Sequence, residues 1–459
     1  MSDSLDFVFL QCLVAAAGLV LLLFWRQTAL MGITCLFAFS VSSASLSGFF
    51  FGRLFGLREE WITAEHEKVF AYSGWACLAI VAAMWLAWLP GKNKKGDDAA
   101  APELFPWVTE RLVFFSLGLG ILGTIAYPFV WYLPTIGTAT NLLSSWLKLG
   151  LIMAVILFKK EHKFRSLLIA LLLYIPAGAV YALNSGHTPL SVDAIVPIAL
   201  IATCLNRVTL MSFVKLLAWM LPCLYLMFGW MASRGAIRSG ELEQFSLSER
   251  ASRFADVFTY ELMNVEFTPF DIQNVLFERI DMSDILAQET AFETSASGED
   301  EFAYGSTLVN GAIDLVPRAI WEDKPTVAGY ANFVGQYTGT SRDDNTSVGV
   351  PVQFELYANG GAPVVIGGVF ILAFLCARLE QFIATTTRPL HTLMPSLMLL
   401  MAFANGIEQI MLVLASGLAG ALTVYVIARA VEIFLPNLLP QFASKKRCRA
   451  LPAAIPAPA

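Results

Sequence analysis

Apolar stretches of about 20 residues recur along almost the whole chain, separated by short charged punctuation, and nothing else limits the fold so tightly. In hydrocarbon every backbone N–H and C=O must be satisfied inside the protein, which leaves helices or a closed barrel. A barrel would show weak alternating strands, whereas these apolar runs are continuous. The chain is therefore expected to be all-α and polytopic, with about eleven transmembrane helices and one large, partly helical loop. Composition agrees: 57% of the 459 residues are hydrophobic and only 14% charged, where a soluble domain carries about a quarter charged residues.

Spans are expected near 5–25, 29–50, 69–89, 112–133, 139–158, 166–183, 190–205, 208–230, 361–383, 390–405 and 411–434. The 190–205 run is short and contains Pro197; Pro395 and the pair Asn405-Gly406 break the 390–434 region. Such breaks occur where a helix lines a cavity or packs on protein. Basic residues orient the chain. Arg26, the Lys92, Lys94 and Lys95 group, the Lys159–Arg165 group, Arg207, the Arg378 and Arg388 pair and the Lys445–Arg449 group mark every second turn. Basic turns stay in the cytoplasm, so the N-terminus and the loops 51–68 and 231–350 are expected outside, with the C-terminus inside. The start MSDSLDF is acidic, and the first apolar run lacks a small-residue cleavage site, so it reads as a spanning helix rather than a leader. The expected divisions are 1–230 with the first eight spans, 231–360 as the external loop, 361–440 with the last three spans, and a Pro/Ala-rich tail at 441–459 that is too poor in structure-forming residues to order itself.

The net charge of −6 is unevenly spread and forms no basic face, so nucleic acid is not an expected partner. Of the seven cysteines six lie in apolar runs and one in the tail, with no CxxC, which suits free thiols packing as small apolar groups. No HExxH and no carboxylate cluster at metal spacing occurs, and neither a metal nor a cofactor is expected.

The long loop holds most of the chemistry-bearing side chains. Apolar residues at three- and four-residue spacing predict helices over 241–265 and 270–288, followed by the polar turn SASGED. In VPRAIWEDKP at 316–325, Pro317 and Pro325 bracket a stiff segment; TGTSRDDNTSVG further on is rich in turn residues. Arg318 offers a guanidinium fork that matches phosphate oxygens, or else pairs with Asp314 or Glu322 and folds the loop. Lys324, fixed before Pro325, is a second cation or a surface lysine. Arg279 stands beside Glu278, Asp281 and Asp284, and either reaches the same pocket or pairs within its helix. Arg234 and Arg238 share a helix face where the eighth span ends, suited to an anionic headgroup or to plain anchoring. Glu355, just before a spanning run and near Tyr357 and Asn359, is the first candidate for a general base; its other reading is a helix-start carboxylate. Asp323 is the runner-up, and Trp321 either stacks on a sugar ring or anchors the loop at the interface. Gly360, Gly361, Gly367 and Gly368 are expected to permit close helix packing.

In order, Arg279, VPRAIWEDKP and FELYANGGAP at 354–363 resemble the Wzy-type oligosaccharide repeat-unit polymerases over about 235–370. Glu322 departs from the family, which has proline there. The resemblance implies a bacterial inner-membrane glycosyltransferase that joins undecaprenyl-diphosphate-linked oligosaccharides at the periplasmic face, alongside a flippase and a chain-length regulator. Such chemistry needs cations for the leaving diphosphate and a base for the acceptor hydroxyl. On that reading Arg318, Lys324, Arg279, Arg234, Arg238, Trp321 and Tyr357 hold substrate, and Glu355 or Asp323 takes the proton. An O-antigen-ligase-like transferase uses the same donor with a different acceptor. A transporter is the reading from another class, and it would show paired inverted repeats that this chain lacks.

Overall fold

The computed structural model describes residues 2–26, 32–55, 62–88, 107–126, 137–185, 246–264, 282–295, 302–307, 330–339, 350–385, 390–404 and 410–434, with part of 209–218 and single residues 105, 309, 313 and 321. Among the described residues the secondary structure is helical throughout, in thirteen helices without a strand. The first six are α1 (Ser2–Arg26), α2 (Gly32–Phe55), α3 (Ala64–Trp88), α4 (Glu110–Ala126), α5 (Gly137–Glu161) and α6 (Phe164–Ser185). Four short helices follow: α7 (Leu247–Asn264), α8 (Ser283–Ser295), α9 (Tyr330–Thr338) and α10 (Val352–Ala358). The chain then runs through α11 (Gly361–Thr385), α12 (Leu390–Ala404) and α13 (Ile410–Phe434). The expected runs at 190–205 and 208–230 lie almost wholly outside the described residues.

Three helices among the described residues are long and apolar enough to cross a membrane, over Leu5–Leu22, Ala64–Trp88 and Gly361–Ile383. Phe37–Phe50 of α2 and Phe164–Val180 of α6 are shorter apolar runs. The outward faces are apolar as well: Phe7, Leu10 and Leu13 of α1, Leu172 and Ile175 of α6, and Leu422 and Val426 of α13 are exposed. A contiguous surface of this kind is costly against water and costs nothing against lipid.

α3 is the central post. It packs against α1, α2, α8 and α11, and Val69, Phe70, Ile80, Ala83 and Met84 are buried along it. The Trp85 indole donates to Gly18 O of α1 at 3.0 Å. Small residues let other helices close up. A Cβ on Gly120 of α4 would strike the backbone of Leu147 in α5, and one on Gly150 would come within 2.8 Å of the Leu117 side chain. That α4–α5 contact therefore rests on backbone approach, as between helices in lipid.

One end of the bundle is tied by carboxylates reaching across to helix starts. Glu380 Oε2 of α11 accepts from Thr34 N at 3.0 Å and Thr34 Oγ1 at 2.6 Å at the start of α2. Glu432 of α13 accepts from His391 N at 3.1 Å at the start of α12, and its other oxygen lies 2.7 Å from His391 Nδ1. Ser166 Oγ, near the start of α6, donates to Glu110 Oε1 at 2.9 Å. The first turn of a helix leaves N–H groups without intrahelical partners, and an acceptor supplied from a neighbour both satisfies them and fixes the pair in register. Trp107 Nε1 donating to Ile383 O and Arg378 Nη1 to Ala87 O complete this rim.

The loop helices depart in part from expectation. The 241–265 prediction corresponds to α7, which begins at a capping box: Ser246 N and Oγ donate to Glu249 Oε2 at 3.0 and 2.7 Å, and Glu249 N donates back to Ser246 Oγ at 3.4 Å. Of the helix expected over 270–288, residues 270–281 lie outside the described residues; the rest falls in α8, which runs on to Ser295, the first residue of the expected turn. The start of α8 is set by tertiary contact, since Met282 N donates to Ala44 O of α2 at 2.7 Å. Periodicity in the chain before it carries no information about that docking.

Candidate functional site

The joint between the polar loop and α11 is built from VPVQFELYANGGAP at 350–363. Pro351 precedes the first turn of α10 in extended conformation, φ −70° and ψ 159°. Asn359 ends the helix, and Gly361 starts α11 at φ +67°, a left-handed conformation that glycine adopts without strain. A Cβ on Gly368 would meet the Leu356 side chain, with Leu356 Cδ1 at 2.8 Å. The two helices form a tight hairpin for that reason. Gly368 thus serves close packing as expected, while a Cβ on Gly367 would meet nothing.

Asn359 clamps the hairpin to the preceding loop. Its Oδ1 accepts from Gly305 N at 2.7 Å; its Nδ2 donates to Thr307 Oγ1 at 2.7 Å and to Glu355 O at 2.6 Å. Ala303 N donates to Ala358 O at 2.7 Å beside it. Asn359 was read from sequence only as a neighbour of Glu355; the structure makes it the tie between residues 303–307 and α10.

Glu355 is fully buried, as are Gln353 and Phe354 just before it. The carboxylate is therefore enclosed by protein to a greater degree than the partly dry setting expected from sequence. Tyr357 stacks on Tyr72 of α3, ring centroids 5.4 Å apart and planes at 30°. Of the residues predicted to meet sugar, Tyr357 is thus engaged with an aromatic partner inside the fold, and Trp321 is 42% exposed. Arg318, Lys324, Asp323, Arg279, Arg234 and Arg238 lie outside the described residues.

Two residues here were missed by sequence reasoning. Glu289 of α8 is fully buried, and α8 packs against α10. A signal existed: Leu286, Glu289 and Thr290 fall at i, i+3 and i+4, one helix face with a carboxylate in its apolar stripe. Gln353 is the other, donating through Nε2 to Val41 O at 2.6 Å and to Ser45 Oγ at 3.1 Å, both on α2. Nothing in its local pattern announces that contact. At the nearby start of α3, His66 Nε2 lies 3.2 Å from Asp284 Oδ1 of α8, while Thr63 N donates to His66 Nδ1 at 3.3 Å. With Nδ1 accepting, the proton of a neutral ring sits on Nε2 and points at the carboxylate. Among the described residues no group of three or more His, Cys, Asp or Glu could hold a metal ion.

The arrangement chemically available among the described residues is an enclosed carboxylate on a short, well-clamped helix, with Tyr357 two residues on and stacked on Tyr72. No family model matches this chain, and no curated protein or solved structure is significantly similar to it.

Proposed function

We propose that this chain is a multi-pass protein of the bacterial inner membrane that polymerises undecaprenyl-diphosphate-linked oligosaccharide units at the periplasmic face. The observation that carries the reading is Glu355: a fully buried carboxylate at the joint between the polar loop and the candidate span Gly361–Ile383, within the FELYANGGAP motif that follows VPRAIWEDKP. About eleven spans, with the loop at 231–360 outside and the C-terminal tail in the cytoplasm, belong to the same proposal.

In the reaction an acceptor hydroxyl oxygen attacks the anomeric carbon of the donor sugar. The bond from that carbon to the diphosphate oxygen breaks, and the diphosphate leaves with the electron pair. The hydroxyl proton passes to Glu355, or to Asp323 in its place. Arg318 and Lys324, with Arg279, Arg234 and Arg238, balance the charge that grows on the leaving diphosphate. Trp321 offers a ring face to sugar, while Tyr357, stacked on Tyr72, backs the turn that carries Glu355.

Deletion of the gene, followed by analysis of lipid-linked glycans, tests the reading. Single repeat units on the lipid are expected to accumulate, and Arg318→Ala and Glu355→Gln are expected to reproduce that accumulation while the protein still inserts. Full-length polymer accumulating on the lipid would instead indicate a ligase-like transfer. Unchanged glycans in the deletion strain would overturn both.

A further inference from the structure

α10 reaches much deeper than a loop helix at a membrane surface would. Val41, whose carbonyl receives Gln353 Nε2, lies nine residues into α2 from Gly32. At 1.5 Å per residue that is about 14 Å from one end of α2 and about 21 Å from the other. Ala44, which receives Met282 N, is within about 18 Å of both ends. Both contacts fall inside the apolar run Phe37–Phe50. From the other side, Leu356 packs on Gly368, about 10 Å along α11 from its start at Gly361. α10 therefore begins deep against the middle of α2, rises alongside α11, and crosses over at Asn359 into the descending α11.

Irregular backbone at that depth is tolerated only where protein encloses it. Val350, Pro351 and Val352 are all buried. α2 is suited to receive such a segment, because SVSSASLS at 40–47 sets hydroxyls into an otherwise apolar helix. Ser45, itself fully buried, donates to Val41 O at 3.3 Å and faces Gln353 Nε2. Thus Gln353 is joined to the receiving helix at two points, by a side chain that is fully buried.

We infer that α10 is a re-entrant helix and that Gln353 is the positioning residue that sets the depth of Glu355, so that the acceptor sugar of the proposed transfer is met in a recess and not at the bilayer surface. The re-entrant geometry stands by itself; the acceptor-sugar clause rests on the polymerase reading. Residues i and i+2 of a helix do not share a face. Gln353 therefore acts on Glu355 through the placement of the helix rather than by touching what Glu355 touches.

Two measurements on the full chain, with the seven native cysteines replaced by alanine, test this without any assay of polysaccharide. Ser45→Cys with Gln353→Cys is expected to be joined by a short bis-methanethiosulfonate cross-linker, as is the control pair Thr34→Cys with Glu380→Cys, since each contact is made by the end of a long side chain. Cross-linking of the control alone overturns the re-entrant placement. Separately, Glu355→Cys is expected to react slowly with a membrane-impermeant maleimide and about tenfold faster once Gln353→Ala is added, through easier local opening. Equal labelling in the two backgrounds overturns the positioning role, and Gln353→Glu, which keeps one oxygen but loses the donor to Val41 O, is expected to label like Gln353→Ala. If these results hold and deletion of the gene leaves the glycans unchanged, the polymerase reading fails and the helix placement remains.

Discussion

Glu380 shows how much one side chain does here. It is nearly fully buried, and its carboxylate takes two hydrogen bonds from Thr34, one of them from a first-turn N–H that α2 cannot satisfy itself. Glu380→Ala leaves that N–H without its acceptor and the Thr34 hydroxyl with only the Cys376 sulfur, and is expected to cost about 2 kcal/mol. Glu380→Gln, retaining an acceptor oxygen, is expected to cost less than half of that; thermal unfolding of the purified variants in detergent reads both. Such a role is invisible in sequence, since the partners are hundreds of positions apart. Glu355 is the opposite case. A carboxylate just before a long apolar run, flanked by Asn-Gly-Gly, could be singled out by eye, and the structure shows it fully enclosed. Gln353 could not, because its meaning lies in the middle of another helix.

At the scale of elements, long periodic or continuous runs were legible and docking was not. The bounds of α1, α3, α5, α6, α11 and α13 follow from where apolar runs meet charge, within a few residues of expectation. α8 runs past the expected end at 288 to Ser295, and Met282 just before it meets α2, a docking that no local pattern announces. α7 is governed by local chemistry, and its capping box makes a pH prediction. The Ser246 hydroxyl and backbone N–H hold the Glu249 carboxyl below the usual carboxylate range. A carboxylate whose folded pKa is depressed contributes stability above its unfolded pKa, about 4.3 for glutamate, and loses it as pH falls through the lower folded value. Amide exchange in the first turn of α7 is therefore expected to quicken relative to its last turn in acid. Ser246→Ala is expected to quicken it already at neutral pH and to flatten the acid response.

For the whole molecule, the ties at the glutamate-capped rim join the starts of α2, α4, α6 and α12 and the ends of α3, α11 and α13, and α8, α10 and the start of α3 meet away from it. On the proposed topology that rim faces the cytoplasm. Single cysteines at Lys163 and at Tyr304 make the expectation concrete: an impermeant thiol reagent applied to intact cells is expected to reach position 304, which is 77% exposed, and to reach position 163 only after the membrane is opened. Labelling of both, or the reverse order, would remove the orientation.

The buried carboxylate-to-Thr34 clasp has a mechanical corollary. Glu355 is fully enclosed, so in the proposed transfer an acceptor sugar reaches it only after the helices around α10 have parted. The clasp holds α2 to α11 at the rim against that parting, so its loss is expected to loosen the two helices together.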